Sequence, residues 1–269
     1  MLFFLVIDIQ LLHRQLHLRK EQLIGGINIK TIYFALALSL ISGVAKADTA
    51  QYTDSDWNLT FAPAGRYFNK NPEYVTFHQE NGDKFMRITH VPGDTTGSTK
   101  SDLKNGRERS EVRTLRANGL LKDSEYSLSL KVRFKTFVDG KIYFMQVHNN
   151  DKEACPKQLV PIKVKLIDDM NTIYISPRNV QPYYADAKGM IQVDEWNDIQ
   201  MDFTTYDEGA INFYLNGIHI AKDVPMTVTQ KCARMKVKVG VYKEFIQDED
   251  NRNERNVVDY DDIVLKKIK

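Results

Sequence analysis

The 269-residue sequence has no G-x-S-x-G turn, no glycine-rich phosphate loop and no Cys/His set at metal-binding spacing, and its only cysteines are Cys155 and Cys232. Those absences exclude a serine-hydrolase elbow, a nucleotide cradle and a zinc-type centre. No stretch holds a sustained helical period, and nothing repeats at a period of about 20 to 50 residues, which argues against βαβ folds and solenoids. An excess of one charge is also missing: 37 Lys plus Arg stand against 35 Asp plus Glu. Overall charge therefore gives no reason to expect nucleic acid as a partner. The apolar run "TIYFALALSLISG" is shorter than the roughly 20 apolar residues that a membrane-spanning helix needs.

That run follows Lys30 and precedes "VAKA", in which Ala45 and Ala47 form an A-x-A site. A basic start, an apolar middle and a small-residue end make a secretory signal peptide over residues 30–47, with cleavage after Ala47. The expectation is an exported protein, periplasmic or secreted, with no membrane attachment once the signal is removed. Residues 1–29 place a second apolar and basic stretch ahead of a complete signal. They are read as an N-terminal extension, either one that is not translated in vivo, with the start at or near Ile29, or a genuine amphipathic extension. Without residues 1–47 the chain keeps 222 residues, 32 basic and 33 acidic, so affinity for a polyanion must come from local clusters. Export permits a Cys155–Cys232 disulfide, with two buried thiols as the alternative.

From residue 57 onwards, short runs alternate apolar and polar residues between Gly, Pro, Asn and Asp clusters. In "YSLSLKVRFKTF", Leu128, Leu130, Val132 and Phe134 share a face; "AINFYLNGIHIA" is a hairpin around Asn216-Gly217; "RMKVKVGVY" sets Met235, Val237, Val239 and Val241 against Lys236, Lys238, Gly240 and Tyr242. "VVDYDDIVLKKI" closes the chain with another strand. Many short strands predict an all-β sandwich or jelly roll, one domain over residues 48–269.

Three of these strands carry an unusual polar face. "RERSEVRTL" puts Arg107, Arg109, Glu111 and Arg113 on one side and Ser110, Val112 and Thr114 on the other. In "KIYFMQVHNN", strict alternation places Tyr143, Met145 and Val147 on one face and Ile142, Phe144, Gln146 and His148 on the other. With the apolar faces in the core, Arg109, Glu111, Arg113, Gln146, His148, Lys238 and Tyr242 would line one open sheet surface. Arginine offers a fork for carboxylates and lysine a point charge, so the surface suits a long anionic ligand, with Glu111 between two arginines orienting them. A solvated ion-pair network accounts for an Arg-Glu-Arg strand taken alone.

"RSEVR" at 109–113, "QVH" at 146–148 and "KVGVY" at 238–242 resemble, in order, the R-[ST]-E-L-R, Q-[IV]-H and Y-F-K-A-G-V-Y-N-Q patterns of alginate-lyase-type polysaccharide lyases. The likeness runs from about residue 55 to the C-terminus. It implies a concanavalin-like β-jelly roll with a concave polar sheet and an anionic polysaccharide as partner, alginate first, with glucuronan and heparin-type glycans as alternatives. The resemblance departs at Val237, where the pattern has Phe, and at Lys243-Glu244, where it has Asn-Gln.

Such an enzyme cuts by β-elimination: a base takes the C5 proton, the sugar carboxylate stabilises the enolate, and the O4 bond breaks. Gln146 and Arg109 are the candidates for neutralising that carboxylate, with His148 as neutral donor or base. Tyr242 passes a proton to the leaving oxygen and, in a syn elimination, also takes the C5 proton. Its ordinary pKa is about 10, and nearby cations favour the phenolate. In an anti elimination His148 is the base, and the sequence does not choose. Arg113 and Lys238 bind neighbouring carboxylates. No cofactor is required; "DEDN" at 248–251 and "DYDD" at 259–262 offer oxygen ligands for Ca²⁺ but lack EF-hand spacing. A monomer is expected. A glycosidase on this scaffold would need two carboxylates flanking the bond, and Glu111 stands alone between arginines. A non-catalytic anionic-glycan-binding module is the stronger rival, but it has no need of a Tyr242/His148 proton-transfer pair.

Overall fold

Alternation of apolar and polar residues fixes which face each strand buries, and the computed structural model shows two antiparallel sheets packed through those faces. It describes residues 52–53, 57–63, 74–93, 98–115, 119–136, 142–149, 161–167, 169–177, 180–227, 234–243 and 255–269, all within one compact unit, Thr49–Lys269. The signal-like segment, Cys155, Cys232 and the 248–251 acidic cluster lie outside the described residues.

In chain order the elements are β1 (Phe61–Pro63), β2 (Val75–Glu80), β3 (Asp83–His90), α1 (Lys100–Lys104), β4 (Glu108–Thr114), β5 (Leu120–Leu121), β6 (Glu125–Thr136), β7 (Ile142–Asn149), β8 (Ile162–Ile167), β9 (Thr172–Pro177), β10 (Tyr183–Asp186), β11 (Trp196–Thr204), β12 (Gly209–Leu215), β13 (Ile218–Met226), β14 (Arg234–Lys243) and β15 (Asn256–Lys267). The first sheet runs β1-β4-β14-β7-β8-β9-β10, with β5 also paired to β14; the second runs β13-β12-β11-β6-β15-β3-β2. Both sheets mix consecutive strands with long crossovers, β4-β14-β7 in the first and β11-β6-β15-β3 in the second, as in a jelly roll.

The expected faces hold in most strands. Leu128, Leu130, Val132 and Phe134 of β6 meet Met235, Val237, Val239 and Val241 of β14 in a common core, each large side chain adding about 1.5–3 kcal/mol on burial. The β12–β13 hairpin turns on Asn216 and Gly217, both at positive φ, with Leu215 facing Ile218, the two-residue turn expected of Asn-Gly.

β7 departs from strict alternation. Its register slips between Tyr143 and Met145: Met145 faces Val239 and Val164, whereas Tyr143 faces Tyr242 and Lys165. Phe144 is folded inward, fully buried, with its ring 5.3 Å from that of Phe134 on the other sheet. The expected placement of Ile142 and Phe144 on the polar face is therefore wrong, and Tyr143 stands on that face instead. The cause is a bulge, which inverts side-chain parity along a strand.

The matching irregularity in β14 is at Gly240, φ +130°. A Cβ there would lie 2.3 Å from the Ser110 carbonyl oxygen and 2.8 Å from Glu111 Cα, so only glycine fits. Tyr260, fully buried on β15, crosses between the sheets: its hydroxyl accepts from Gly240 N at 3.0 Å and donates to the Phe144 carbonyl at 2.8 Å. Burial pushes its pKa well up, so the phenol keeps its proton and the bulge its tie.

Candidate active site

β4, β14 and β7 lie side by side, and their registers set the polar face in rungs. Arg109 faces Tyr242, Glu111 faces Gly240, and Arg113 faces Lys238 across β4–β14. Lys238 in turn faces Gln146, and Lys236 faces His148, across β14–β7. The first rung continues from Tyr242 through Tyr143, Lys165 and Tyr174 to Tyr184 on β10.

Glu111 is the hub. Its carboxylate, 1% exposed, accepts from Gln146 Nε2 at 2.7 Å, Arg109 Nη1 at 3.1 Å and Lys238 Nζ at 3.2 Å. Glycine at 240 lets β14 lie close against the β4 backbone at Ser110 and Glu111. Arg113, contrary to expectation, makes no bond to Glu111; Glu111 orients Arg109 alone of the two arginines, because Arg113 sits one rung further along, opposite Lys238.

Arg109 has a second carboxylate partner. Asp102, on α1, accepts from Arg109 Nη2 at 2.5 Å through one oxygen, and its other oxygen accepts from the Thr99 amide at 2.7 Å and hydroxyl at 2.6 Å. Thr99 caps the helix in a capping box with Asp102, so a helix start is used to aim an arginine. Burial opposes the Asp102 charge, but Arg109 and Thr99 hold its carboxyl below the usual range. Held at two points, the Arg109 guanidinium lies 4.6 Å from the centroid of the Tyr242 ring, a cation–π contact.

Tyr242 is 5% exposed, 6.2 Å from Tyr143 between ring centroids. Tyr143 carries Lys163 Nζ at 4.9 Å and Lys165 Nζ at 5.4 Å from its ring centroid. Lys238 is buried, which pushes its pKa down to about 8, with Arg109 adding to the fall and Glu111 opposing it. For Lys236, half-buried, burial and then Lys238, Arg113 and Arg109 lower it to about 7.

Of the expected residues, Arg109, Glu111, Gln146, Lys238 and Tyr242 form one contiguous, buried set. His148 and Arg113 flank it, each partly exposed. Arg107 lies just ahead of β4, with its backbone amide bonded to the Asp102 carbonyl at 2.9 Å. Asp102, Tyr143 and Lys236 belong to the face and were not among the expected site residues. The T-K-S-D capping signature at 99–102 was the available signal for Asp102; nothing in the sequence marks the β7 bulge that turns Tyr143 to the polar face.

Among the described residues no group of three or more His, Cys, Asp and Glu is arranged to hold a metal ion. The DYDD carboxylates are engaged elsewhere: Asp259 with Arg87 and Arg133, Asp261 with the Trp57 indole and Asp262 with Lys131. No helix among these residues is long and apolar enough to cross a membrane.

A family model described as Polysaccharide lyase matches residues 46–264. Among solved structures, an alginate lyase from Pseudomonas aeruginosa is 14% identical at a TM-score of 0.50, covering 71% of this chain and 85% of that one. A marine PL7 alginate lyase from Zobellia galactanivorans is 12% identical at a TM-score of 0.50, covering 84% and 87%. A family 7 alginate lyase in complex with product (GGG) is 14% identical at 0.51, covering 73% and 84%. These likenesses establish a shared jelly-roll fold. No curated protein matches the sequence.

Proposed function

From the premise that this chain belongs to the polysaccharide lyase family, we propose that it cleaves a uronate-containing polysaccharide, alginate first, by β-elimination on the β4–β14–β7 face. The observation that carries this reading is a tyrosine held under a doubly anchored arginine, in a face where cations outnumber carboxylates. A polyuronate brings one carboxylate per sugar and so supplies the missing negative charge.

The C5 proton is weakly acidic while its neighbouring carboxylate is charged, so the main demand is to neutralise that group. Gln146 has one amide N–H on Glu111 and a second free to donate to the sugar carboxylate. Arg109 spends two N–H groups on Asp102 and Glu111, so it contributes chiefly as fixed charge beside Tyr242. Tyr242 transfers the proton to O4 and, in a syn elimination, takes it from C5; His148, at the rim of the face, is the base in the anti course. Arg113 and Lys238 engage adjacent carboxylates. Export with cleavage after Ala47, and action as a monomer, complete the proposal.

The test uses residues 48–269 against mannuronate-rich and guluronate-rich alginate, glucuronan, heparin-type glycans and hyaluronan, following ultraviolet absorbance of the unsaturated product. A rise with one polymer that Tyr242→Phe abolishes supports the proposal and names the substrate. Binding without any rise, equal in both proteins, would reassign the face to glycan binding. Mass of the natively secreted protein tests the cleavage site, and its gel-filtration volume the monomer.

A further inference from the structure

We propose that Lys236, with Arg113, forms a second carboxylate subsite beside His148, holding the uronate next to the one being cleaved; this rests on the polyuronate lyase reading above. Lys236 is the outward residue preceding Lys238 on β14 and faces His148 across β14–β7. Arg113 faces Lys238 from the other side, so Lys236 and Arg113 are diagonal neighbours within reach of one bound anion.

Neither cation has a hydrogen bond or ion pair with the described residues. The nearby carboxylate oxygens are taken: those of Glu111 by Arg109, Gln146 and Lys238, and those of Asp102 by Arg109 and Thr99. Two partly buried cations without a counter-charge are costly in the free protein, and a bound carboxylate relieves that cost.

The groups around Lys236 are Arg234 and Lys238 on its own strand, Arg109, Glu111 and Arg113 on β4, and His148 on β7; β5, which pairs with Arg234 and Met235, adds no charge. Burial and the surrounding cations bring Lys236 to about 7. The free protein is then only partly charged at this position near neutrality. A sugar carboxylate favours the ammonium form, so binding draws in a proton and weakens as pH rises.

The measurement is calorimetric binding of tetramers of mannuronate, guluronate and glucuronate to Tyr242→Phe protein, with Lys236 intact or changed to Gln or Arg. Turnover of the same variants with Tyr242 present is followed alongside. Near pH 6 the Lys236→Gln protein should bind about tenfold more weakly. By about pH 8.5 that ratio should approach one, because the unmodified protein has then lost the same charge. Lys238 lies in the same pH window and is coupled to Lys236, so Lys236→Arg, which keeps the charge throughout, is the reference against which the Lys236→Gln ratio is read. Lys236→Arg should keep tight binding across the range, and in turnover Lys236→Gln should raise KM with little change in kcat. Cleavage with unchanged KM and Kd in Lys236→Gln, or a ratio that does not move with pH, would overturn the subsite alone. Failure of every tetramer to bind or be cleaved would overturn the uronate reading, and the subsite with it.

Discussion

Each sheet carries one buried carboxylate held between cations on its outer face, and the two clusters are built to opposite ends. On the second sheet, Asp259 is fully buried between Arg87, at 2.6 and 2.8 Å, and Arg133, at 3.0 and 2.9 Å. Arg133 also reaches Glu80 at 2.8 Å and lies 4.6 Å from the Trp196 ring centroid. Two arginines meet two carboxylates, and the network is closed. On the first sheet, among the described residues, Arg109, Arg113, Lys236 and Lys238 have only Glu111 and Asp102 as carboxylates on their face, and only Arg109 and Lys238 bond to them. Four cations against two carboxylates leave a positive surplus that a bound anion would offset. Matched pairs serve the fold, whereas unmatched charge costs stability and is retained where something must bind.

The sharpest break between the two clusters is in turnover. Tyr242→Phe should lower the rate of unsaturated-product formation by about three orders of magnitude with thermal unfolding unchanged, while Asp259→Asn should leave kcat/KM per folded molecule within about twofold. Stability reverses the order. Asp259→Ala strands two arginines and should cost about 3–5 kcal/mol in chemical denaturation. Asp102→Asn lies between: with Arg109 held at one point, kcat should fall about tenfold, and the weakened cap should cost about 1 kcal/mol. The smallest effect has the most informative sign. Lys236→Met, which removes surplus charge, should raise stability by about 0.5–1 kcal/mol, where Arg133→Met lowers it. Because folding depresses the Lys236 pKa to about 7, its cost is present in full below pH 7. The unfolded chain binds the extra proton up to its ordinary pKa, about 10.4, so the gain from Lys236→Met should fade between about pH 7 and pH 10.4. A gain that persisted undiminished at high pH would mean that apolar packing, not charge, is responsible.

Much of this contrast was legible beforehand. The Arg109-Glu111-Arg113 alternation, the Gln146/His148 pair and the Lys238-Gly240-Tyr242 run each announce a polar face, because period-two geometry needs no knowledge of neighbours. That the three runs share one sheet surface follows from their faces; that they lie on adjacent strands is decided by the β4–β14 and β14–β7 registers. The second cluster was invisible: Arg87, Arg133 and Asp259 are far apart in the chain and become a rung only through the β3–β15–β6 registers.

By itself, then, the sequence determined the all-β class, the Asn216-Gly217 turn, most inward faces and the chemical character of one surface, all of them local consequences of side-chain alternation and turn chemistry. Tertiary structure decided the rest. The β7 bulge, tied by the Tyr260 hydroxyl, turned Phe144 inward and Tyr143 outward, since one extra residue inverts the parity of everything beyond it. Packing also decided which carboxylates belong to which cations, bringing Asp102 from a helix start onto Arg109 and leaving Arg113 and Lys236 unmatched. Charge balance in a folded protein depends on distance and burial, and neither is written in the order of residues along a chain.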